Sequence, residues 1–188
     1  DNTVTTVNIE DDFTVTAPHA ISHEVTIKSN PPDGSTVTQY TLSGGNGSSF
    51  FDITSPTAKI DNLTLKEGKS TVVGQNSRGG AININVVTGP VTPTAISTIT
   101  VSNVTFEDNR ADISASGNVL SFGGAIYTKS KQTVQISSST FKNNRATAVS
   151  TDGGSAVGMG GAVFHEGTGA LVIDLSTFEK NQADRGGA

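Results

Sequence analysis

Residues 139–146 read STFKNNRA, residues 104–111 read VTFEDNRA, and residues 176–183 read STFEKNQA. The shared word is Phe-x-x-Asn, at Phe106 to Asn109, Phe141 to Asn144 and Phe178 to Asn181. A second word, Gly-Gly-Ala, alternates with it: Gly79-Gly80-Ala81, Gly123-Gly124-Ala125 and Gly160-Gly161-Ala162, each followed by an aliphatic residue, and finally Gly186-Gly187-Ala188. From Gly123 to Phe141 is 18 residues, and from Gly160 to Phe178 again 18. The return is not constant: Phe106 to Gly123 is 17, Phe141 to Gly160 is 19 and Phe178 to Gly186 is 8. A minimal unit of 26 residues therefore repeats, and from Phe106 onward all length variation falls between the Asn and the Gly pair. Length varies in loops rather than in stacked strands, so the segments 110–122 and 145–159 are expected as exposed inserts at one corner.

A unit of this size suits a stacked solenoid. Within the constant part, TITVSNVTF (98–106), TVQISSSTF (133–141) and ALVIDLSTF (170–178) alternate apolar and polar residues with period two. Thr, Val and Ile dominate and Gly interrupts each segment, which favours strands over helices. GGAIYT and GGAVFH supply another short strand per unit. Short strands repeating around a Gly corner predict an all-β, right-handed parallel β-helix, the hand following the crossover rule for parallel strands. Equivalent Phe residues are then expected to stack inside, the Asn residues to sit at the bend in the left-handed conformation, and the Gly pairs to supply positive φ. A degenerate copy, NLTLKEG (62–68), aligns Leu65 with Phe106 and Gly68 with Asn109, so the array is expected over 53–188. Residues 1–52 alternate like strands but show neither word, and are expected to form an N-terminal β cap. Pro31-Pro32-Asp33-Gly34 reads as a turn and TGPVTPT (88–94) as a loop within the solenoid.

Composition narrows the function classes. The chain of 188 residues holds 26 Thr, 21 Ser and 21 Gly but no Trp, which suits a narrow stacked interior. A net charge of -5, with the basic residues scattered singly, argues against a nucleic-acid partner. The lack of Cys removes disulfides and thiolate chemistry together. No charged-then-apolar segment opens the sequence and Gly186-Gly187-Ala188 falls in mid-repeat, so a mature chain or a fragment cut from a longer array is expected.

Strict alternation of Phe-x-x-Asn with Gly-Gly-Ala-aliphatic resembles the repeats of the chlamydial polymorphic membrane proteins, over residues from about 60 to 188. The resemblance implies a type V autotransporter. Such a protein has a β-helical passenger on the bacterial outer membrane and cell surface, sometimes released, and a C-terminal barrel that this chain does not contain. It also implies an adhesin that binds a host cell-surface receptor, protein or glycan, in infection. Carried over, the adhesion-linked positions are Phe106, Asn109, Phe141, Asn144, Phe178 and Asn181 with Gly79, Gly80, Ala81, Gly123, Gly124, Ala125, Gly160, Gly161, Ala162, Gly186, Gly187 and Ala188. An inward Phe cannot touch a receptor, so the words are expected to act as packing and corner devices, with the inserts making direct contacts.

Two rival readings are a polysaccharide-active enzyme and a purely structural stalk, which could self-associate through exposed strand edges. Catalysis is not expected, because Lys142 interrupts the series of Glu107 and Glu179 and no acid–base constellation is apparent. His19, His23 and His165 form no metal-ligand pattern, and Asp11-Asp12 and Asp152-Gly153 match no calcium loop, so neither metal nor cofactor is expected. Asn46, Asn62 and Asn103 begin Asn-x-Ser/Thr sequons, read here as a product of composition.

Overall fold

The computed structural model describes residues 5–32, 38–70, 72–87 and 97–187. The expected turn at Pro31-Pro32-Asp33-Gly34 falls partly, and TGPVTPT and Ala188 wholly, outside them. Among the described residues there is no helix, and nearly all strand pairing is parallel. The chain is a parallel β-helix.

Its turns are built from three faces. The first face stacks Thr5–Ile9, Val25–Ser29, Ala58–Asp61, Thr98–Ser102, Thr133–Ser137 and Leu171–Asp174. The second stacks Phe13–Thr14, Tyr40–Ser43, Leu63–Lys66, Thr105–Glu107, Thr140–Lys142 and Thr177–Glu179. The third stacks His19–Ile21, Phe51–Ile53, Ile82–Val86, Ile126–Ser130 and Val163–His165. Six rungs result, numbered here from the N-terminus. Period-two alternation works as expected on the first face, where Ile99 and Val101 point into the core in register with Val134 and Ile136.

Residues 1–52, expected as a cap, instead supply rungs of the same helix. Thr5–Ile9 pairs in parallel with Val25–Ser29, and Phe51–Ile53 crosses the expected boundary while pairing on both sides. These rungs lack the two words because other residues fill the same positions. In register with Phe106, going towards the N-terminus, stand Leu65, Leu42 and Phe13. The position of Ala81 is taken by Phe50, whose amide bonds the Ala81 carbonyl at 2.9 Å.

The inserts are corrected more substantially. They are strands, not loose loops. Arg110–Ala115 pairs with Arg145–Ser150 through six residues, and Val119–Phe122 pairs with Ala156–Met159. Together with Asn76–Arg78 they form a stacked flap between the second and third faces, with Ala111, Ile113, Val119 and Ala146 buried in it. The apolar residues spaced through these segments needed a partner, and the equivalent segment one rung away provides it.

Candidate functional site

The Phe-x-x-Asn corner is the point where the second face ends and the flap begins. Phe106 and Phe141 are fully buried, and Phe178 packs against the same core. Their rings stack in parallel, with centroids 4.7 Å apart and planes 5° apart for both successive pairs. That spacing is the separation of hydrogen-bonded strands, so the backbone ladder dictates the stack. Each such pair adds ~0.5–1.5 kcal/mol beyond the area it buries.

The Asn residues lie inside, not at the left-handed bend expected of them. Asn109 and Asn144 are 0% exposed. The positive φ belongs to the residue before each: Glu67 at 56°, Asp108 at 56°, Asn143 at 56° and Lys180 at 53°. One left-handed residue turns the chain, and the next side chain is thereby aimed into the core. There the amides form a ladder. Asn109 Nδ2 donates to Asn144 Oδ1 and to the Leu65 carbonyl, both at 3.0 Å. Asn144 Nδ2 donates to Asn181 Oδ1 and to the Phe106 carbonyl, again at 3.0 Å, and Asn181 Nδ2 donates to the Phe141 carbonyl at 3.0 Å. The backbone N–H groups of Asn109 and Asn144 donate to the same Oδ1 atoms, at 3.1 and 3.0 Å. Asn144 thus uses both amide protons and both acceptor positions, which is why so polar a group can be fully buried.

The degenerate copy has a steric cause. At Gly68 an added Cβ would strike the Gly80 carbonyl and lie 2.7 Å from both the Phe50 ring and Asn109 Oδ1. The Gly80 main chain and Phe50, standing where other rungs have Ala, together fill the space that an Asn side chain needs. Gly68 still donates its N–H to Asn109 Oδ1 at 2.8 Å, ending the ladder with a backbone group.

In the Gly-Gly-Ala word only the first glycine has positive φ: Gly79 58°, Gly123 63°, Gly160 65° and Gly186 64°. The second serves close approach. A Cβ on Gly80 or Gly124 would strike the carbonyl of Gly124 or Gly161 in the next rung and the backbone of Arg110 or Arg145. A Cβ on Gly187 would lie 2.9 Å from the Asn181 carbonyl oxygen. Ala81, Ala125 and Ala162 are buried in the core. None of the sequence-predicted adhesion positions therefore presents a large side chain to solvent at the centre of the array.

What faces outward is the pair of residues between Phe and Asn. Lys66, Glu107, Lys142 and Glu179 are in register along the second face, with Lys142 Nζ 3.1 Å from Glu107 Oε1. Glu107, chiefly through that hydrogen bond, raises the Lys142 pKa. Beside this row run the left-handed residues, and beyond them Lys69, Arg110, Arg145 and Gln182, also in register. Between these last two rows lies an open polar groove of about 510 Å³, which sequence reasoning did not find. Only the period-35 and period-37 spacing of the Asn-Arg and Asn-Gln pairs hinted at it.

Other candidates are placed as follows. His19 and His23 are exposed near the N-terminal end of the core, and His165 Nε2 lies 3.0 Å from the Gly169 carbonyl. Asp152 takes hydrogen bonds from the amides of Gly117 and Gly154 and from Ser150 Oγ, which lower its pKa, the Gly117 amide most. Among the described residues no group of three or more His, Asp or Glu converges to hold a metal. The three sequon asparagines Asn46, Asn62 and Asn103 share a positive φ, of 58°, 55° and 54°, which accounts for Asn there.

Residues 103–129 match the family model of the Chlamydia polymorphic membrane protein repeat. That segment is similar to the repeat of this family. The matched span runs from the left-handed corner at Asn103 through Phe106, Asn109 and the rung-4 flap strands to Gly123-Gly124-Ala125 and Lys129, so it contains one copy of each word. No curated protein and no solved structure matches the chain. The polymorphic membrane protein repeat implies a chlamydial protein of the outer membrane or cell surface. Rungs 5 and 6 extend the repeat beyond the matched span with the same ladder and the same Phe stack.

Proposed function

We propose that this chain is part of an autotransporter passenger that acts as an adhesin. It binds a receptor on the host cell surface and carries out no catalysis. The observation that carries the reading is the division of the repeat: its named letters fill the interior, while its outward residues form in-register rows along the stack. A stack with polar rows that differ from rung to rung is a scaffold for display. Lys142 stands in register between Glu107 and Glu179 and pairs with Glu107 at 3.1 Å, and a carboxylate tied to a cation in this way supports a binding rather than a hydrolytic role.

The test uses beads coated with the chain and cultured epithelial cells. Wild type is compared with Phe141→Ala and with a variant whose two flap segments, in rungs 4 and 5, are both shortened to the length found at 182–185, circular dichroism being recorded for each. Adhesion by wild type is expected. Phe141→Ala, which empties the centre of the stack at a cost of ~3–5 kcal/mol, is expected to lose adhesion only to the extent that it unfolds. Loss of adhesion by a fully folded Phe141→Ala would overturn the interior role. Turnover of an acidic polysaccharide by the wild type would overturn the non-catalytic reading.

A further inference from the structure

We propose that the rung-5 flap presents an open strand edge towards rung 6, and that an extended polypeptide segment of a partner adds to it by main-chain pairing. The proposal goes beyond the adhesin reading and does not rest on it. The edge arises inside the stack. Rung 6 passes from Asn181 to its own Gly186-Gly187 corner through residues 182–185 alone, and the Gly161 amide already bonds the Gly186 carbonyl there. Two isolated parallel pairings join this connection to the flap, Arg145 with Gln182 and Met159 with Arg185. Between them, residues 146–150 have a neighbouring strand on the rung-4 side and none on the other.

The hydrogen bonds fix which groups face the open side. The amides of Arg145 and Thr151 bond the carbonyls of Asn109 and Ala115 in rung 4, whereas the Ala146 amide bonds the Gln182 carbonyl in rung 6. Direction alternates along a strand of a parallel ladder. Thr147 and Val149 therefore turn to rung 4, and Ala148 and Ser150 turn their N–H and C=O groups to the open side. In the facing strand, Ala156–Met159, Ala156 and Gly158 turn the same way. Gly158 is capped: the Asp184 carboxylate accepts its amide at 2.7 Å, and the Arg185 amide bonds its carbonyl at 3.0 Å. Among the described residues no group caps the Ala148 or Ser150 main chain in this way.

Sheet edges are ordinarily blunted by Lys, Pro or a bulge. Residues 146–150 read ATAVS and carry no Lys or Pro, and Val149 is 49% exposed beside the edge. The chemistry of the occupant follows from these groups. Donors and acceptors that recur at every second residue are met by another extended backbone, and Arg110–Ala115 shows that pairing on the opposite side of the same strand. Small Ala148 and apolar Val149 favour an uncharged segment with small or β-branched side chains as their neighbour.

The probe is a synthetic peptide with the sequence RATAVS of residues 145–150, blocked at both ends, and the control peptide has Pro in place of its second Ala. Amide hydrogen exchange of the whole chain is followed by NMR at low protein concentration, with and without peptide. Without it, Ala148 and Ser150 should exchange fast and Thr147 and Val149 slowly. The RATAVS peptide is expected to slow Ala148 and Ser150 about fivefold at four-fifths occupancy, and the Pro peptide, which lacks the central donor, to slow them far less. Val149→Lys, which sets a charge beside the edge, should weaken peptide binding about tenfold. Val87→Lys, at another exposed apolar residue beyond the third-face strand Ile82–Val86, should bind like wild type, with circular dichroism recorded for both variants. The two peptides on wild type keep the test decisive even if a variant fails to fold. No slowing by RATAVS, equal slowing by the Pro peptide, or undiminished binding by a folded Val149→Lys would each overturn the proposal. Slowing of Ala148 and Ser150 by raised protein concentration alone would also overturn it, a second copy of the chain then being the occupant.

Discussion

Asn144 shows how a residue of ordinary appearance can decide a fold. Its side chain is wholly buried, yet it satisfies two donors of Asn109 and donates to Asn181 and Phe106. Asn144→Ala would leave buried donors of Asn109 without an acceptor, at ~1–3 kcal/mol each. We expect a loss of about 2–5 kcal/mol, read from denaturant unfolding of the wild type and variant, whereas Asn143→Gly at the half-buried neighbour should change stability little because its φ is already positive. The sequence told that Phe and Asn recur together and that Phe is inside. It misassigned the Asn, because Asn is favoured both at left-handed bends and in buried ladders, and a single chain does not say which of two adjacent polar residues takes the bend. The pair Asp108-Asn109 contains both kinds, one residue apart.

Among elements, the flap carries the larger lesson. Its unequal lengths read as loop insertions, and the strands were illegible because their partners lie 35 residues away and the pairing is rung to rung. Since Arg110–Ala115 is half of a two-stranded layer, shortening rung 5 alone should release it. Hydrogen exchange is expected to quicken across 110–122 in that variant. Shortening both rungs together should leave the rest of the helix protected, and unchanged exchange in the single-rung variant would show the layer to be self-supporting. The junction of flap and third face holds a titratable cluster. Tyr127, fully buried beside Phe122 and Phe164, donates its hydroxyl to Glu166 at 2.5 Å, and Lys129 lies 3.1 Å from the same carboxylate. Burial alone would raise the Glu166 pKa, but the Tyr127 and Lys129 contacts outweigh it and hold the carboxyl below its ordinary value. A depressed carboxyl contributes stability that is complete above the unfolded-state pKa and is lost as pH falls through the folded one. Thermal melts should therefore show wild type more stable than Glu166→Gln at neutral pH, with the gap closing below about pH 4.

Across the whole molecule, the first face runs without interruption from Thr5–Ile9 to Leu171–Asp174, and no layer marks off the first 52 residues. Calorimetry is expected to show one transition covering the entire stack. A separate, earlier transition for the N-terminal rungs would mean that they behave as an independent unit after all. The parallel β-helix itself was legible in the spacing, since two words in alternation demand a stack. The N-terminal rungs were not, because Leu42, Leu65 and Phe50 meet the same volumes with different letters. That freedom has a counterpart outside. In Phe-x-x-Asn the two blanks are the letters that reach solvent: the first has been Glu107, Lys142 and Glu179, the second Asp108, Asn143 and Lys180. A rung can be respelled at these sites without disturbing the stack beneath it. The grammar of the repeat is kept indoors, and its vocabulary is free to drift on the side that meets solvent.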